Sequence, residues 1–436
     1  MNARVDPLPA IPPMLRPHEH RELVLAEVHT RPFRPLETPK RLLHFAFLTS
    51  SAESAADRSA LAAFCRERGL DPPRNGERHH VVPLEDASLR WEQHSEFTTY
   101  CWSFPDDGVF QQRAAQLARR MGLVPQPGRH LASVDLHLMR ADSAPQIDAF
   151  FAREPVCVMT ADDGMATVAT DFDPGADGFV RILVIDQGLT PIRAGALVQR
   201  LLELETYRLL ALLGLPEAHR PAPTVREIEE SLVEVTREMT HASSLDDNQR
   251  QLDILATLAA RLEAGAAESL YRFGASRAYE NLVQGRLTAM RLEPVRERES
   301  LGGFLSRRMA PALKTCASIE ERQATLSIKL ARATQLLRTR IDVTLERQNR
   351  DILATLSERA RMQLRLQQTV EGLSIAAVSY YVIGIMGHGM AALQHLGAIT
   401  DAEVATAATI PFVVASVGYV VIKRLRRHDR RAAQRN

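Results

Sequence analysis

Histidines and carboxylates are where metal binding or acid–base catalysis would begin, and their densest grouping in this 436-residue chain is His18, His20 and His29 with Glu22 and Glu27. On a helix, His18 and Glu22 stand at i and i+4 but share a face with neither His20 nor Glu27, so the spacing gathers no zinc site. His79 and His80 are adjacent. In a strand such neighbours point to opposite faces and cannot chelate together. His44 and His137 lie inside strand-like runs and read as hydrogen-bonded interior or face residues rather than catalysts. The acidic run Asp162, Asp163, Asp171 and Asp173, with its glycines, has the composition of a divalent-cation site, but turn chemistry explains it as well and is the preferred reading. The sequence contains no GxSxG, P-loop, GxGxxG or HExxH motif. Its four cysteines, Cys65, Cys101, Cys157 and Cys316, are far apart, which fits a reducing compartment and gives no zinc knuckle. We therefore expect no catalytic residue, no metal and no cofactor, and an enzyme is the least favoured class.

The other chemistry-bearing position is His388, set between Gly387 and Gly389 near the end of an apolar run. Two such runs, Gly372 to Leu393 and Val404 to Ile422, contain no Lys, Arg, Asp or Glu. A helix needs about 20 apolar residues to cross a bilayer core. The pattern predicts a transmembrane hairpin over 370–422, in which Gly387, His388 and Gly389 are the candidate pore or outer-mouth residues. Arg359, Arg361 and Arg365 precede the first run, while Lys423, Arg424, Arg426 and Arg427 follow the second and serve as topology anchors. The turn between them, Gln394 to Glu403, is acidic. The positive-inside rule then puts both termini in the cytoplasm, with 423–436 as a basic tail on anionic lipid.

The elements that would position these residues divide by pattern. Met1 to Pro17 is proline-rich and is expected to be a disordered leader rather than a signal peptide. From 18 to 188 short amphipathic helices alternate with period-two strands, which predicts an α+β or α/β cytoplasmic domain. Strands are expected at Arg41 to Thr49, His79 to Leu84, Ser88 to His94, Glu96 to Phe104, Ala132 to Met139, Val156 to Thr160, Ala166 to Thr170 and Phe179 to Ile185. Helices are expected at His18 to His29, Ser54 to Arg68 and Gln111 to Met121.

Beyond Gly188 the pattern is helical throughout. Thr190 followed by Pro191 marks a helix start, and further helices are predicted at Val225 to Met239, Leu245 to Phe273 and Ala275 to Met290 within a helical region 189–300. A stalk helix follows over 301–369. Leu326, Leu330, Ala333, Leu337, Ile341, Leu345, Gln348, Ile352 and Leu356 form a stripe at a spacing near an eleven-residue repeat. Something must cover that stripe: the preceding helices folding back, or the same stripe of another copy. Partners expected are therefore the lipid bilayer and a homo-oligomer through stalk and spans. Charge is dense but mixed, with 54 basic and 53 acidic residues, so nucleic acid is not an expected partner. No particular small-molecule ligand is indicated.

The residues Glu27 to Pro32 (EVHTRP), Arg90 to Glu92 with Ser95 to Thr99, Gln199 to Arg208 (QRLLELETYR) and Thr369 to Ser374 (TVEGLS) together resemble a bacterial membrane-anchored family, domain of unknown function 3422. That resemblance spans almost the whole chain; it implies a membrane-anchored protein but no activity, substrate or catalytic residue. In plan the chain is also similar to the CorA class of magnesium channels, which have a cytoplasmic α/β domain, a long stalk, two spans and a basic tail. Where those channels carry Gly-Met-Asn, this sequence has Gly387, His388 and Gly389, without the asparagine. The expected function is a structural or regulatory module facing the cytoplasm, with an oligomeric divalent-cation channel as the alternative.

Overall fold

The structure, a computed structural model, describes residues 33–106, 126–151, 154–241 and 244–432, together with residues 16, 18–21, 24, 25, 114 and 116. Nearly all of the expected leader, the positions of Glu22, Glu27 and His29, and most of the helix expected at 111–121 lie outside the described residues. Two compact units divide the chain: the first holds residues up to 240 and 253–333, the second 241–252 and 334 onward.

The first unit is built on one nine-stranded sheet. Its strands are β1 (Lys40–Leu48), β2 (His79–Pro83), β3 (Ser88–Gln93), β4 (Phe97–Pro105), β5 (Arg129–Arg140), β6 (Cys157–Ala161), β7 (Ala166–Pro174), β8 (Val180–Asp186) and the two-residue β9 (Glu293–Pro294). They run in the order β2-β3-β4-β1-β5-β8-β7-β6-β9. Among the described strands only β5 and β8 pair in parallel; the other pairings are antiparallel, so the sheet is mixed. β1 and β5 are central and covered on both faces. Their sequences, KRLLHFAFL and RHLASVDLHLMR, accordingly carry apolar residues toward each side instead of a wet and a dry face.

One face is covered by helix α1 (Ser51–Glu67), whose start is fixed by a capping box: Ser50 Oγ accepts from Glu53 N at 3.3 Å, and Ser50 N donates to the Glu53 carboxylate at 2.7 Å. Leu61, Phe64 and Cys65 of α1 pack on Leu43, Trp91, Tyr100, Trp102 and Phe104. Further along the same face, Phe150, at the end of the short helix α2 (Ile147–Phe150), and Phe151 pack against Met139, Val158 and Leu183.

The opposite face is covered by α3 (Pro191–Leu212). Thr190 Oγ1 accepts from Arg193 N at 3.4 Å and Pro191 occupies the first turn, as the sequence predicts. Ala194, Leu197, Val198, Leu201 and Leu202 of α3 bury against Leu42, Val134, Leu136, Ile182 and Val184. At about 1.5–3 kcal/mol per fully buried aliphatic side chain, this seam is a large share of what holds the unit together.

After the short α4 (Gly214–His219) come α5 (Ala222–His241), α6 (Leu245–Met290) and α7 (Leu301–His395). Residues 245–290 form one helix where two were expected on either side of Gly274. A mid-helix glycine costs about 1 kcal/mol. Phe273 beside it is fully buried with Ala218, Cys316 and Ile319, and burying that ring outweighs the cost. Within the first unit the early turns of α7 are tied to its neighbours: Arg322 grips Glu229 with two hydrogen bonds of 3.1 and 2.6 Å, Ser327 donates to Glu263, and Arg277 pairs with Glu320. Leu326, Leu330 and Ala333 are buried there. The beginning of the stripe is thus covered by the chain's own helices.

The second unit contains the later part of α7 and α8 (Ala402–Ala432). Leu337 is buried, but Leu345, Ile352 and Leu356 are exposed, at 42%, 57% and 54%. Nothing within the described chain covers the stripe from there on. α7 continues without a break to His395, 95 residues in all, so the stalk and the first apolar run are one helix. Gly397, at φ +78°, ends it, with Ala398 N returning to Leu393 O at 3.0 Å, and Asp401 Oδ1 then accepts from Glu403 N at 3.1 Å to start α8. α7 and α8 are each long and apolar enough to cross a membrane.

Candidate functional site

Charged side chains are buried on both faces of the sheet, and the two groups are built differently. On the α1 side, β1 places Arg41 beside Asp135 and His137 of β5, because Arg41 and His137 are register partners. Arg41 donates to both oxygens of Asp135, Nε at 2.9 Å and Nη2 at 2.8 Å. His137 bridges onward: Nε2 lies 3.2 Å from Asp135 Oδ1, and Nδ1 lies 2.8 Å from Asp106 Oδ2. Burial opposes the charge on His137, but its hydrogen bonds and the two carboxylates outweigh burial and raise its pKa above the ordinary imidazole value. Burial likewise works against the Asp135 carboxylate, while His137 and Arg41 prevail and hold its pKa low. Two basic side chains face two carboxylates, each with a named partner. Nearby, Asp57 of α1 accepts from Trp91 Nε1 at 2.7 Å and from the Tyr100 hydroxyl.

On the α3 side the strand period brings Ser88, Arg90 and Glu92 of β3 to one face. Ser103, Cys101 and Thr99 stand opposite them on β4, and Pro83, Val81 and His79 on β2. Arg90 is mostly buried and donates through Nη1 to Gln199 Oε1 of α3 at 3.0 Å. Burial works against its charge, but Glu92, Cys101 and Glu203 together raise its pKa. Gln199 in turn donates to Glu203 at 3.0 Å, and Glu203 is paired with Arg286. Glu92 stands 3.8 Å from both His79 Nε2 and Arg90 Nε, with Oε1 buried and without a hydrogen bond. Burial first of all, then the nearby arginines, lower the pKa of His79 despite Glu92. The Cys101 thiol is pushed up, chiefly by burial.

Deeper on this face His44 lies 3.0 Å from Thr206 Oγ1, whose own proton goes to Leu202 O. His44 is therefore the Nε2–H tautomer, and its Nδ1 is buried without a partner. Burial, reinforced by the charge of Arg90, lowers its pKa to about 3 and keeps it neutral.

A strap of chain just before β1 closes this side. Leu36 N donates to Pro191 O at 2.9 Å, the Arg200 guanidinium sits 5.1 Å over the Phe33 ring, and Thr38 Oγ1 donates to Asp186 at 2.6 Å. The strap crosses α3 at Gly195, where a Cβ would lie 1.8 Å from Arg34 O, so any other residue would push it away. Arg34 is held at the mouth of a cavity of about 50 Å³ lined also by Leu42, Ser88, Arg90, Ser103 and Gln199.

The residues singled out from the sequence are spread over the structure. His79 and His80 do face apart: His80 Nε2 meets Asp71 O at 2.9 Å, whereas His79 joins the Arg90 group. His44 and His137 are interior and hydrogen-bonded, as expected, but on opposite faces. Asp162 and Asp163 have positive φ at the β6–β7 hairpin, while Asp171 and Asp173 form an Asx turn at the far end of β7, so the acidic run is dispersed into two turns. Gly387, His388 and Gly389 lie late in α7, where a Cβ on Gly387 would meet Thr406 of α8 at 3.6 Å and His388 is exposed. The Lys423 ammonium stacks 5.2 Å over Tyr419; the side chains of Arg424, Arg426 and Arg427 lie outside the described residues.

Arg41, Asp135, Arg90, Gln199 and Glu203 were not singled out as chemistry. A signal existed: Arg90 and Glu92 alternate with Leu89 and Trp91, and a strand covered on both faces must bury both sets.

These features define an α+β protein with a mixed sheet between helical layers, a polar pocket under one layer, and a second unit bearing two apolar helices. The chain belongs to the family described as Protein of unknown function (DUF3422), whose model matches residues 16–428. Two of the stretches that carry the resemblance, around Arg90 and Gln199, meet at the pocket. No curated protein matches the chain, and nothing in the comparisons supports the likeness to CorA channels.

Proposed function

We propose that this protein is a membrane-anchored regulatory or structural module, held in the inner membrane by the hairpin of α7 and α8 with both termini and the sheet unit facing the cytoplasm, and self-associating through the later part of α7. The observation that carries this reading is the uncovered course of α7. From Leu345 to Val370 its apolar side chains, among them Leu353 at 65% and Leu366 at 64%, are exposed, and only 6% of each apolar window is buried. A helix of this kind needs a bilayer around its apolar end and a partner copy along its stalk. The absence of a catalytic motif in the sequence favours a module over an enzyme.

Cysteine placed at Ile399 should react with an impermeant thiol reagent added to intact cells, and cysteine at Arg431 should not. Labelling at Arg431, or at neither site even after permeabilisation, sinks the hairpin as drawn. Changing Ile352 and Leu356 to Asp should dissociate the detergent-solubilised assembly while the sheet unit keeps its thermal transition. A chain that is monomeric before mutation rejects self-association, and with it the channel alternative.

A further inference from the structure

We propose that the cavity between the Arg34 strap, β3, β4 and α3 binds the carboxylate group of a small organic acid. Unused donors converge on it. The Arg34 guanidinium has no hydrogen bond or ion pair with an anion among the described residues, and the charges it works against on this face are those of Arg90 and His79. Arg90 spends one N–H on Gln199 and stands across from the Cys101 thiol, leaving the rest of its fork. Ser88 and Ser103 are cross-strand partners on the cavity wall, and neither hydroxyl has a hydrogen bond to another described residue. Burying a guanidinium beside a second one is costly unless an anion completes the set.

Charge and size narrow the ligand. Arg34 and Arg90 face the single carboxylate of Glu92, since Glu203 is already matched by Arg286. The surplus is one positive charge, which fits a monoanionic group. A cavity of about 50 Å³ admits that group and little else, being space for about three or four waters. The remainder of the molecule would leave past exposed Arg34. A guanidinium fork matches a planar carboxylate with two parallel hydrogen bonds, and the serine pair would take the remaining lone pairs. This inference rests on the sheet unit alone, so it stands or falls separately from the membrane topology.

Calorimetric titration of the full detergent-solubilised chain with acetate, succinate and inorganic phosphate, at ionic strength held constant with sodium chloride, tests it. Saturable one-to-one binding of a carboxylate is expected. Arg34→Ala should weaken it about ten- to hundredfold while leaving the melting temperature unchanged, and Ser103→Ala should weaken it less. No saturable binding of acetate or succinate overturns the proposal, as does unchanged affinity in Arg34→Ala. Phosphate binding tighter than either carboxylate overturns the assignment of the ligand's class.

Discussion

The two faces of the sheet bury nearly the same kinds of side chain and put them to different ends. Under α1, Arg41, Asp135, His137 and Asp106 form a closed chain in which every charge meets its opposite at hydrogen-bond distance. Under α3, Arg90, Glu92, His79 and Arg34 are looser: the contacts to Glu92 are 3.8 Å, Glu92 Oε1 is unsatisfied, and the surrounding space is a cavity. A buried charge network that closes on itself contributes order and uniqueness but offers nothing to a ligand. One that remains open stores unsatisfied polar groups which a ligand can complete.

The comparison breaks first at Arg41. Replacing it with Leu leaves Asp135 and the His137–Asp106 pair unbalanced in the interior, and the expected loss is about 3–5 kcal/mol of stability in chemical denaturation. A loss below about 1 kcal/mol would show that the α1-side network is not the closed structural element described here. Gly195→Ala comes next. Its Cβ must displace the backbone of the Arg34 strap, so a cost of about 1–3 kcal/mol is expected, as for overpacking, with faster proteolysis near Arg34. If the variant is as stable as the wild type, the strap does not bear on α3.

A smaller effect sharpens the contrast through pH. His44 has its folded pKa lowered to about 3 from near 6.5, so between those values the unfolded chain takes up a proton that the folded chain refuses. Stability is therefore intact above about pH 6.5 and falls as pH drops toward 3, by about 1.4 kcal/mol per pH unit from this group. His44→Gln should flatten the slope of stability against pH over that window; an unchanged slope rejects a neutral buried imidazole. The smallest expected change is Arg34→Ala, within about 0.5 kcal/mol of wild type, because the residue is exposed and pairs with no anion among the described residues. If Arg34→Ala costs as much as Arg41→Leu, the two faces are equivalent and the α3-side cluster is structural.

Much of the scaffold was legible in the chain itself. Apolar and alternating runs located the first eight strands of the sheet within a few residues, though not the two-residue β9, the Thr190–Pro191 pair set the start of α3, and the helical pattern over 301–369 foretold a helix running into the apolar segment, because backbone periodicity and capping are local properties. The two apolar runs were equally plain, since length and absence of charge need no tertiary context. The break expected near Gly274 failed because a local glycine penalty is smaller than the burial of Phe273 by residues more than forty positions away.

The pocket belongs wholly to tertiary structure. Arg34, Arg90 and Gln199 come from a strap, a strand and a helix far apart in sequence, and whether a buried arginine is balanced or left with free donors depends on which carboxylates the strand register brings within about 4 Å. Sequence patterning could say that Arg90 and Glu92 share one side of a strand. Only the packing of α3 against that side, with Gly195 admitting the strap, decided that their charges meet a cavity, while Arg41 and Asp135 on the other side meet each other.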